Sequence, residues 1–389
     1  MNKNIVYFDN AATSWPKPQV VYLTADRYSR SIGGSPGRSG HRLSIEAGRI
    51  ILEAREKLAS LFGISDPFRI AFTKNATEAL NIAISGFLSS GEHCVTTSME
   101  HNSVMRPLRA MEKKGIELTV VPCSSGGELN PLDIKKAIKK NTRMVICSHA
   151  SNVTGTIMPV EEIGRFTREC GVVFCVDAAQ TAGAVSIDVE EMGIDLLAFT
   201  GHKSLFGLQG TGGLYIRKGL ETEITPLLRG GTGSRSEFEE HPDFMPDRFE
   251  SGTPNTPGLA GLEAGVSFIM EKGINRIRKK EIELTRYFIE KLRAFTFVEI
   301  YGLQEAEKQI PVFSFNIKGV SPSEAALFFD EEYGIMSRPG LHCAPAAHRT
   351  IGAFPRGTIR FSLGYFNDTA ELDRACAAIS DLAGRRRVS

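Results

Sequence analysis

Residues 172–203 read VVFCVDAAQTAGAVSIDVEEMGIDLLAFTGHK. Two almost wholly apolar runs, 172–176 and 196–199, are short, rich in β-branched and aromatic residues, and each stops at a polar group. Strands apolar on both faces belong to sheets covered by helices on both sides, and such sheets are largely parallel. The first run ends in Asp177-Ala178-Ala179-Gln180, and the second in Thr200-Gly201-His202-Lys203, followed by the glycine-rich 207–213. A carboxylate at the end of an apolar strand is costly unless it meets a cation. A lysine at a strand's carboxyl end beside a glycine loop is placed as a Schiff-base amine needs, reachable yet sheltered enough to lower its pKa.

The same alternation extends in both directions. Strand candidates at 69–72, 94–97, 118–121, 144–147 and 213–216 join the two above, with helical patterns at 77–87, 103–114, 132–139 and 160–170 between them. A Gly/Pro-rich stretch, 229–257, is too irregular for a strand or helix. Helical patterns at 258–271 and 274–295 follow, then strands near 312–317, 334–337 and 358–361 and helices at 322–331 and 369–382. The expected fold class is α/β. A large domain, 16–257, has a mostly parallel seven-stranded sheet flanked by helices, and a small α+β domain is built from 258–389 with the N-terminal segment 1–15.

Composition narrows the function. With 46 Lys+Arg against 45 Asp+Glu the net charge is +1, so there is no bulk attraction to nucleic acid or anionic membrane, and charged ligands need local sites. No apolar run approaches the roughly 20 residues of a membrane span, and MNKNIVYFDN has no long apolar stretch, which leads us to expect a cytoplasmic protein. The basic run Arg385-Arg386-Arg387 reads as a solvated, frayed tail. Seven cysteines form no C-x-x-C pair and suggest reduced thiols, with no metal site. Cys94, Cys147, Cys170, Cys175 and Cys376 read as small hydrophobes, and Cys123 has no assignment.

In open α/β sheets ligands bind beyond the carboxyl ends of the strands. After 69–72 comes Thr73-Lys74-Asn75-Ala76-Thr77-Glu78, a capped helix start whose free N–H groups suit an anion. After 94–97 stands His101, and after 144–147 stands Asn152, an amide able to donate to an oxygen ligand. Taken singly, these are a capped helix, a structural histidine and an Asn near a glycine turn. Taken with Lys203 and Asp177, they supply what pyridoxal 5'-phosphate requires: an amine for its aldehyde, a carboxylate for its ring nitrogen and an anion site for its phosphate.

In the order and context of these motifs, the chain resembles the fold-type I pyridoxal-phosphate enzymes of aminotransferase class V, specifically the cysteine desulfurase and selenocysteine lyase family. The resemblance runs from Tyr7-Phe8-Asp9-Asn10-Ala11-Ala12 through the segments above to Gly252-Thr253-Pro254-Asn255, Arg338-Pro339-Gly340-Leu341-His342-Cys343-Ala344-Pro345 and Arg360-Phe361-Ser362. It implies that Lys203 binds the cofactor aldehyde, Asp177 pairs with the ring nitrogen, and His101 stacks on the ring and moves protons. Thr77, Thr200 and His202 hold the phosphate, Ala76 belongs to the cofactor-binding set, and Gln180 meets the ring hydroxyl. Family members are homodimers with shared sites, so Thr253 reaches the neighbouring subunit's phosphate. Arg360 clamps the substrate carboxylate, with Asn152 and Arg338 in the same substrate-binding set.

Cys343 is then the nucleophile, in a segment expected to be a mobile loop, where positive charge favours the thiolate. The implied reaction converts L-cysteine to L-alanine, leaves a persulfide on Cys343 and passes sulfur to an acceptor thiol or protein, as in iron–sulfur cluster assembly. The alternatives are a selenocysteine lyase acting on L-selenocysteine, or a class V aminotransferase or lyase in which Cys343 is incidental. A sulfur-relay protein without cofactor is disfavoured, because every cofactor residue is retained. Against SUF-type members of the family, Leu341 replaces a histidine and Asn75-Ala76 replaces Gly-Thr.

Overall fold

A computed structural model of the chain describes residues 5–37 and 40–388, the last three by backbone alone. It opens with a two-residue strand β1 (Val6–Tyr7) and helices α1 (Gln19–Arg27) and α2 (Arg42–Leu61). Then strands and helices alternate: β2 (Ile70–Thr73), α3 (Ala76–Phe87), β3 (His93–Thr97), α4 (Asn102–Glu112), β4 (Glu117–Val121), α5 (Pro131–Ala137), β5 (Thr142–Ser148), α6 (Val160–Cys170), β6 (Val173–Asp177), β7 (Leu196–Thr200) and β8 (Gly212–Ile216). All seven strands join one sheet in the order β2-β8-β7-β6-β5-β3-β4, and only β8 runs against the rest. The polar residues that close the apolar runs therefore gather along one edge.

Side-chain alternation explains why the helices cover both faces. On β6, Phe174 and Val176 point into one apolar core with Leu58, Ile163 and Leu262, while Val173 and Cys175 point into the other with Leu80, Ile84 and Leu108. Cys94, Cys147 and Cys175 are buried strand residues as expected, whereas Cys170, at the end of α6 before Gly171, is exposed and is no core residue. At the start of β8, a Cβ on Gly212 would stand 2.8 Å from the Asn75 Cα, so only glycine lets this strand pass the entrance of α3.

Residues 223–255 lack regular structure but are pinned: Glu250 pairs with Arg55 at 2.9 Å and accepts the Phe72 N–H at 2.6 Å. Helices α7 (Thr256–Lys272) and α8 (Ile274–Arg293) lead into β9 (Val298–Tyr301), β10 (Val312–Ile317), α9 (Pro322–Tyr333), β11 (Ile335–Met336), β12 (Arg338–Gly340), α10 (Pro345–Thr350), β13 (Thr358–Ser362) and α11 (Thr369–Val388). The second sheet is antiparallel, β12-β13-β10-β9, and β1 pairs in parallel with β11. Its core collects Phe288, Phe313, Phe315, Phe329 and Phe361 with Val6 and Phe8. The expected strand at 334–337 is the two-residue β11, and β9 and β12 lie where no strand was expected.

The apolar side chains of α7, among them Leu259, Leu262, Val266 and Ile269, join the core of the seven-stranded sheet. We propose on that basis that the large domain ends after α7, with the N-terminal strand on the small domain. The C-terminal basic run is not a free tail at Arg385, which ion-pairs with Glu332 and Asp381, both at 3.1 Å. The side chains of Arg386 and Arg387 lie outside the described residues. Among the described residues, no helix is long and apolar enough to cross a membrane, and no cluster of three or more His, Cys, Asp or Glu side chains could hold a metal ion.

Candidate active site

A cleft of about 510 Å³ opens at the carboxyl edge of the large sheet, lined by Ala76, Thr77, His101, Asn152, Asp177, Gln180, Thr200, His202 and Lys203. Asp177 and Lys203 end up there because β6 and β7 are neighbours and end at that edge. Asp177 Oδ1 accepts the Ala179 N–H at 2.9 Å, while Oδ2 has no partner in the described chain. Burial pushes the Asp177 carboxyl up, and the Ala179 N–H and the Lys203 charge oppose it. Burial also pulls the Lys203 amine down to about 8, against the pull of Asp177. The turn that carries Lys203 is clamped from the N-terminal segment. The His202 carbonyl accepts from Ser14 N–H at 3.0 Å, Thr13 Oγ1 at 3.1 Å and Lys17 Nζ at 3.1 Å.

The opposite wall is a helix entrance. Asn75 Oδ1 caps α3 by accepting the Glu78 N–H at 3.0 Å, and Glu78 reaches back to the Lys74 N–H at 2.6 Å. The N–H groups of Ala76 and Thr77, in the first turn, have no intrahelical acceptor and stand at the cleft. Thr77 Oγ1 meets Ser103 Oγ at 2.7 Å, and Ser103 Oγ meets His101 Nδ1 at 2.9 Å. With Nδ1 so held, Nε2 is the free ring nitrogen. Burial, then the charges of Lys203 and Arg338, pull the His101 imidazole down to about 4, so it is neutral near pH 7. Gln180 Nε2 donates to the Ala11 carbonyl at 3.2 Å, and Thr200 Oγ1 leans on the Thr211 carbonyl at 3.5 Å.

Cys343 lies at the edge of this region in a tight turn. The Ala344 N–H donates to the Leu341 carbonyl at 2.8 Å, and the two central residues, His342 and Cys343, have φ of 48° and 57°. Positive φ at both central positions is the mark of a type I′ turn, which asparagine and glycine favour. For His and Cys it is strained, and such strain persists only where the surroundings over-determine it. Here they do. Asn102 N–H donates to the Cys343 carbonyl at 2.8 Å, Asn152 Nδ2 to the His342 carbonyl at 2.8 Å, and His342 Nε2 meets Thr358 Oγ1 at 2.9 Å. The segment expected to be a mobile loop is thus a held turn with an exposed thiol, and Arg338 Nη2 stands 3.4 Å from Sγ.

Arg360 does not line the cleft. It is 1% exposed, with Nη2 on Asp9 Oδ1 at 2.7 Å and Nη1 on the Asn152 carbonyl at 3.2 Å. One Asn152 N–H is committed to His342, and its buried Oδ1 has no partner. Thr253 is exposed and outside the cleft of its own chain. Sequence reasoning missed Ser103, Asp9, Ser14 and Lys17 as parts of the site. Ser103 alone had a signal, at the second position of a helix capped by His101. It also missed Glu100, a fully buried carboxyl raised to about 7 by burial despite hydrogen bonds from Thr97 at 2.6 Å and Ser148 at 2.8 Å.

These residues fit pyridoxal phosphate. The unpartnered Asp177 oxygen suits a ring N–H, the first-turn N–H groups of α3 suit a phosphate, and the buried, unpartnered Nδ1 of His202 offers a further contact. The sequence profile of the aminotransferase class-V family matches residues 6–375, and the chain belongs to that family. Its similarity narrows further, to the cysteine desulfurases. A probable cysteine desulfurase of Pyrococcus abyssi is 35% identical over 396 residues, covering 100% of this chain and 97% of the relative. The apo structure of a cysteine desulfurase from Thermococcus onnurineus superposes with a TM-score of 0.92 at 34% identity, over 98% of this chain and 95% of that one. A cysteine desulfurase of Escherichia coli in S-sulfonic acid form gives 0.87 at 26% identity, over 98% and 95%.

Proposed function

We propose that the chain is a pyridoxal-phosphate-dependent cysteine desulfurase, which takes sulfur from L-cysteine, releases L-alanine and holds the sulfur as a persulfide on Cys343. The observation that carries this reading is the pairing of two features: a cleft with a half-buried lysine and a buried carboxylate, and a strained turn beside it that fixes an exposed thiol against a guanidinium. Bound in the cleft, pyridoxal phosphate supplies an aldehyde for the substrate amine and a ring that draws electrons from Cα. Asp177 Oδ2 holds the ring-nitrogen proton, and the Ala76 and Thr77 N–H groups, with Thr200 and His202, hold the phosphate.

Lys203 Nζ holds the aldehyde until substrate arrives and then takes the Cα proton, and burial, which lowers the amine to about 8, favours the neutral form that this step needs. His101, neutral and with Nδ1 accepting the Ser103 N–H at 3.1 Å, carries its proton on Nε2 and can give it to the substrate sulfur or carbon. Arg338 and Arg360, opposite each other on β12 and β13, supply the positive charge for the substrate carboxylate. Cys343 Sγ then attacks the substrate sulfur. The new S–S bond forms as the substrate Cβ–S bond breaks, and its electron pair stays with the carbon skeleton, which takes protons to leave as L-alanine. Sulfur is transferred without an outside oxidant. A homodimer in which Thr253 completes the neighbour's phosphate site, and an acceptor that collects the sulfur, belong to the same reading.

The test is alanine formation by purified protein loaded with pyridoxal phosphate. L-Cysteine should give alanine and, with reductant, equal sulfide, and comparison with L-selenocysteine sets the substrate preference. Keto-acid-dependent amino transfer with no alanine from cysteine would count for the aminotransferase reading instead.

A further inference from the structure

A basic groove adjoins the nucleophile. Helix α4 leaves the cleft at His101, and its outer face carries Arg106, Arg109 and Lys113 at spacings of three and four, which place the three cations in one stripe. Arg349 on α10 stands across from them, over a groove of about 850 Å³ with an apolar floor that includes Met105, Pro345 and Ala346. Pro345 is two residues past Cys343, and the Asn102 N–H at the groove's near end binds the Cys343 carbonyl at 2.8 Å. Groove and thiol are therefore fixed in one frame.

Arg109 has Glu112 at 2.8 Å, but among the described residues Arg106, Lys113 and Arg349 have no carboxylate partner. Complementing a helix dipole accounts for Arg109 and Lys113 at the end of α4 and for Arg349 in the last turn of α10, where it also lies over the Phe354 ring at 4.2 Å, but not for Arg106 earlier in α4. In a chain of net charge +1 this is a concentration of one sign at one place. From Arg106 to Lys113, the residue that caps α4, the stripe covers seven steps of helical rise, about 10 Å, longer than a small thiol occupies.

We propose that this groove docks an acidic polypeptide segment that carries the acceptor thiol to Cys343, an inference that rests on the persulfide reading above. The cations steer and orient the segment, and the apolar floor holds it. The acceptor thiolate attacks the outer sulfur of the Cys343 persulfide. A bond forms between the acceptor sulfur and that outer sulfur, the S–S bond to Cys343 breaks, and Cys343 leaves as a thiolate, so atoms and electrons balance without a further reagent.

The experiment uses the cofactor-loaded protein charged once with L-cysteine, then mixed with synthetic cysteine peptides that are Glu-rich, Ser-rich or Lys-rich, and with dithiothreitol. The Glu-rich peptide should accept sulfur roughly tenfold faster than the Lys-rich one at low salt, and the advantage should shrink as salt rises. In Lys113→Glu/Arg349→Glu that preference should disappear while dithiothreitol-driven alanine formation stays at the wild-type rate. Equal rates for the three peptides, or an undiminished preference in the variant, would overturn the proposal. A change in the variant's oligomeric state on sedimentation would reassign the groove to a second copy of the chain and overturn it too. If no sulfur is found on Cys343 before any peptide is added, the persulfide reading fails, a result distinct from failure of the groove.

Discussion

Arg338 Nη2 lies 3.4 Å from Cys343 Sγ, and Arg338 itself sits directly across the β12–β13 pair from Arg360. Of these two guanidiniums in register, Arg360 contacts Asp9 and Arg338 contacts the thiol. A hydrogen bond from a charged donor contributes about 1.5–3 kcal/mol, so its loss is worth roughly tenfold or more in rate. Arg338→Ala should slow persulfide formation on Cys343 by about that factor, and Arg338→Lys should recover part of it. Single-turnover alkylation of the persulfide measures both. Wild-type rates in Arg338→Ala would deny the contact a role.

The first turn of α3 allows a backbone test. Ala76 is the first helical residue, where proline is tolerated, and Asn75 before it is extended, as a residue preceding proline prefers. Ala76→Pro should keep the helix but delete one N–H at the cleft. Affinity for pyridoxal phosphate should fall about tenfold with an unchanged far-ultraviolet circular dichroism spectrum. A titration of the apoprotein that gives equal affinity for both proteins would place the phosphate elsewhere.

Lys203 carries a stability prediction with a definite sign. Its amine is lowered from 10.5 to about 8 by burial, so between those values the unfolded chain holds a proton that the folded chain has released. The destabilisation from this group is therefore full below about pH 8 and disappears as pH rises towards 10.5. Apoprotein Lys203→Met should be more stable than wild type at pH 7 by on the order of 3 kcal/mol, and the gap should close in alkali. Denaturant unfolding at pH 7 and pH 10 checks it, and a gap that widens with pH would reverse the assignment.

Thr358 Oγ1 is shared by His342 Nε2 at 2.9 Å, His348 Nε2 at 3.4 Å and Ser314 Oγ at 3.1 Å. Because His342 Nδ1 already lacks a partner, Thr358→Val leaves both nitrogens of a buried ring unpaired. The expected cost is about 1–3 kcal/mol of stability, with slower persulfide formation and an unchanged visible spectrum of the bound cofactor. Cofactor loss in this variant would show that Thr358 supports the cleft rather than the turn.

The seven strands were legible as short apolar runs, and the site because the polar residues that follow 69–72, 94–97, 144–147, 172–176 and 196–199 share an edge once those strands are parallel. What was not legible depends on contacts or dihedral angles that one sequence does not carry. The segment around Cys343 looked mobile from its Gly and Pro content, yet His342 and Cys343 are locked at positive φ by Asn102, Asn152 and Thr358, two of them far off in sequence. Apolar periodicity indicated that α7 buries a face, but not that the face meets the large sheet. The Arg360–Asp9 pair joins residues 351 apart, and nothing local marks Asp9 as its partner.

The most direct test is a single turnover of cofactor-loaded protein with L-cysteine and no reductant, trapped by alkylation and read by peptide mass. Wild type should show one extra sulfur atom on the peptide containing Cys343 and one L-alanine per site, and Cys343→Ser should show neither. Alanine released by Cys343→Ser at the wild-type rate, or the extra sulfur on another cysteine, would contradict the account.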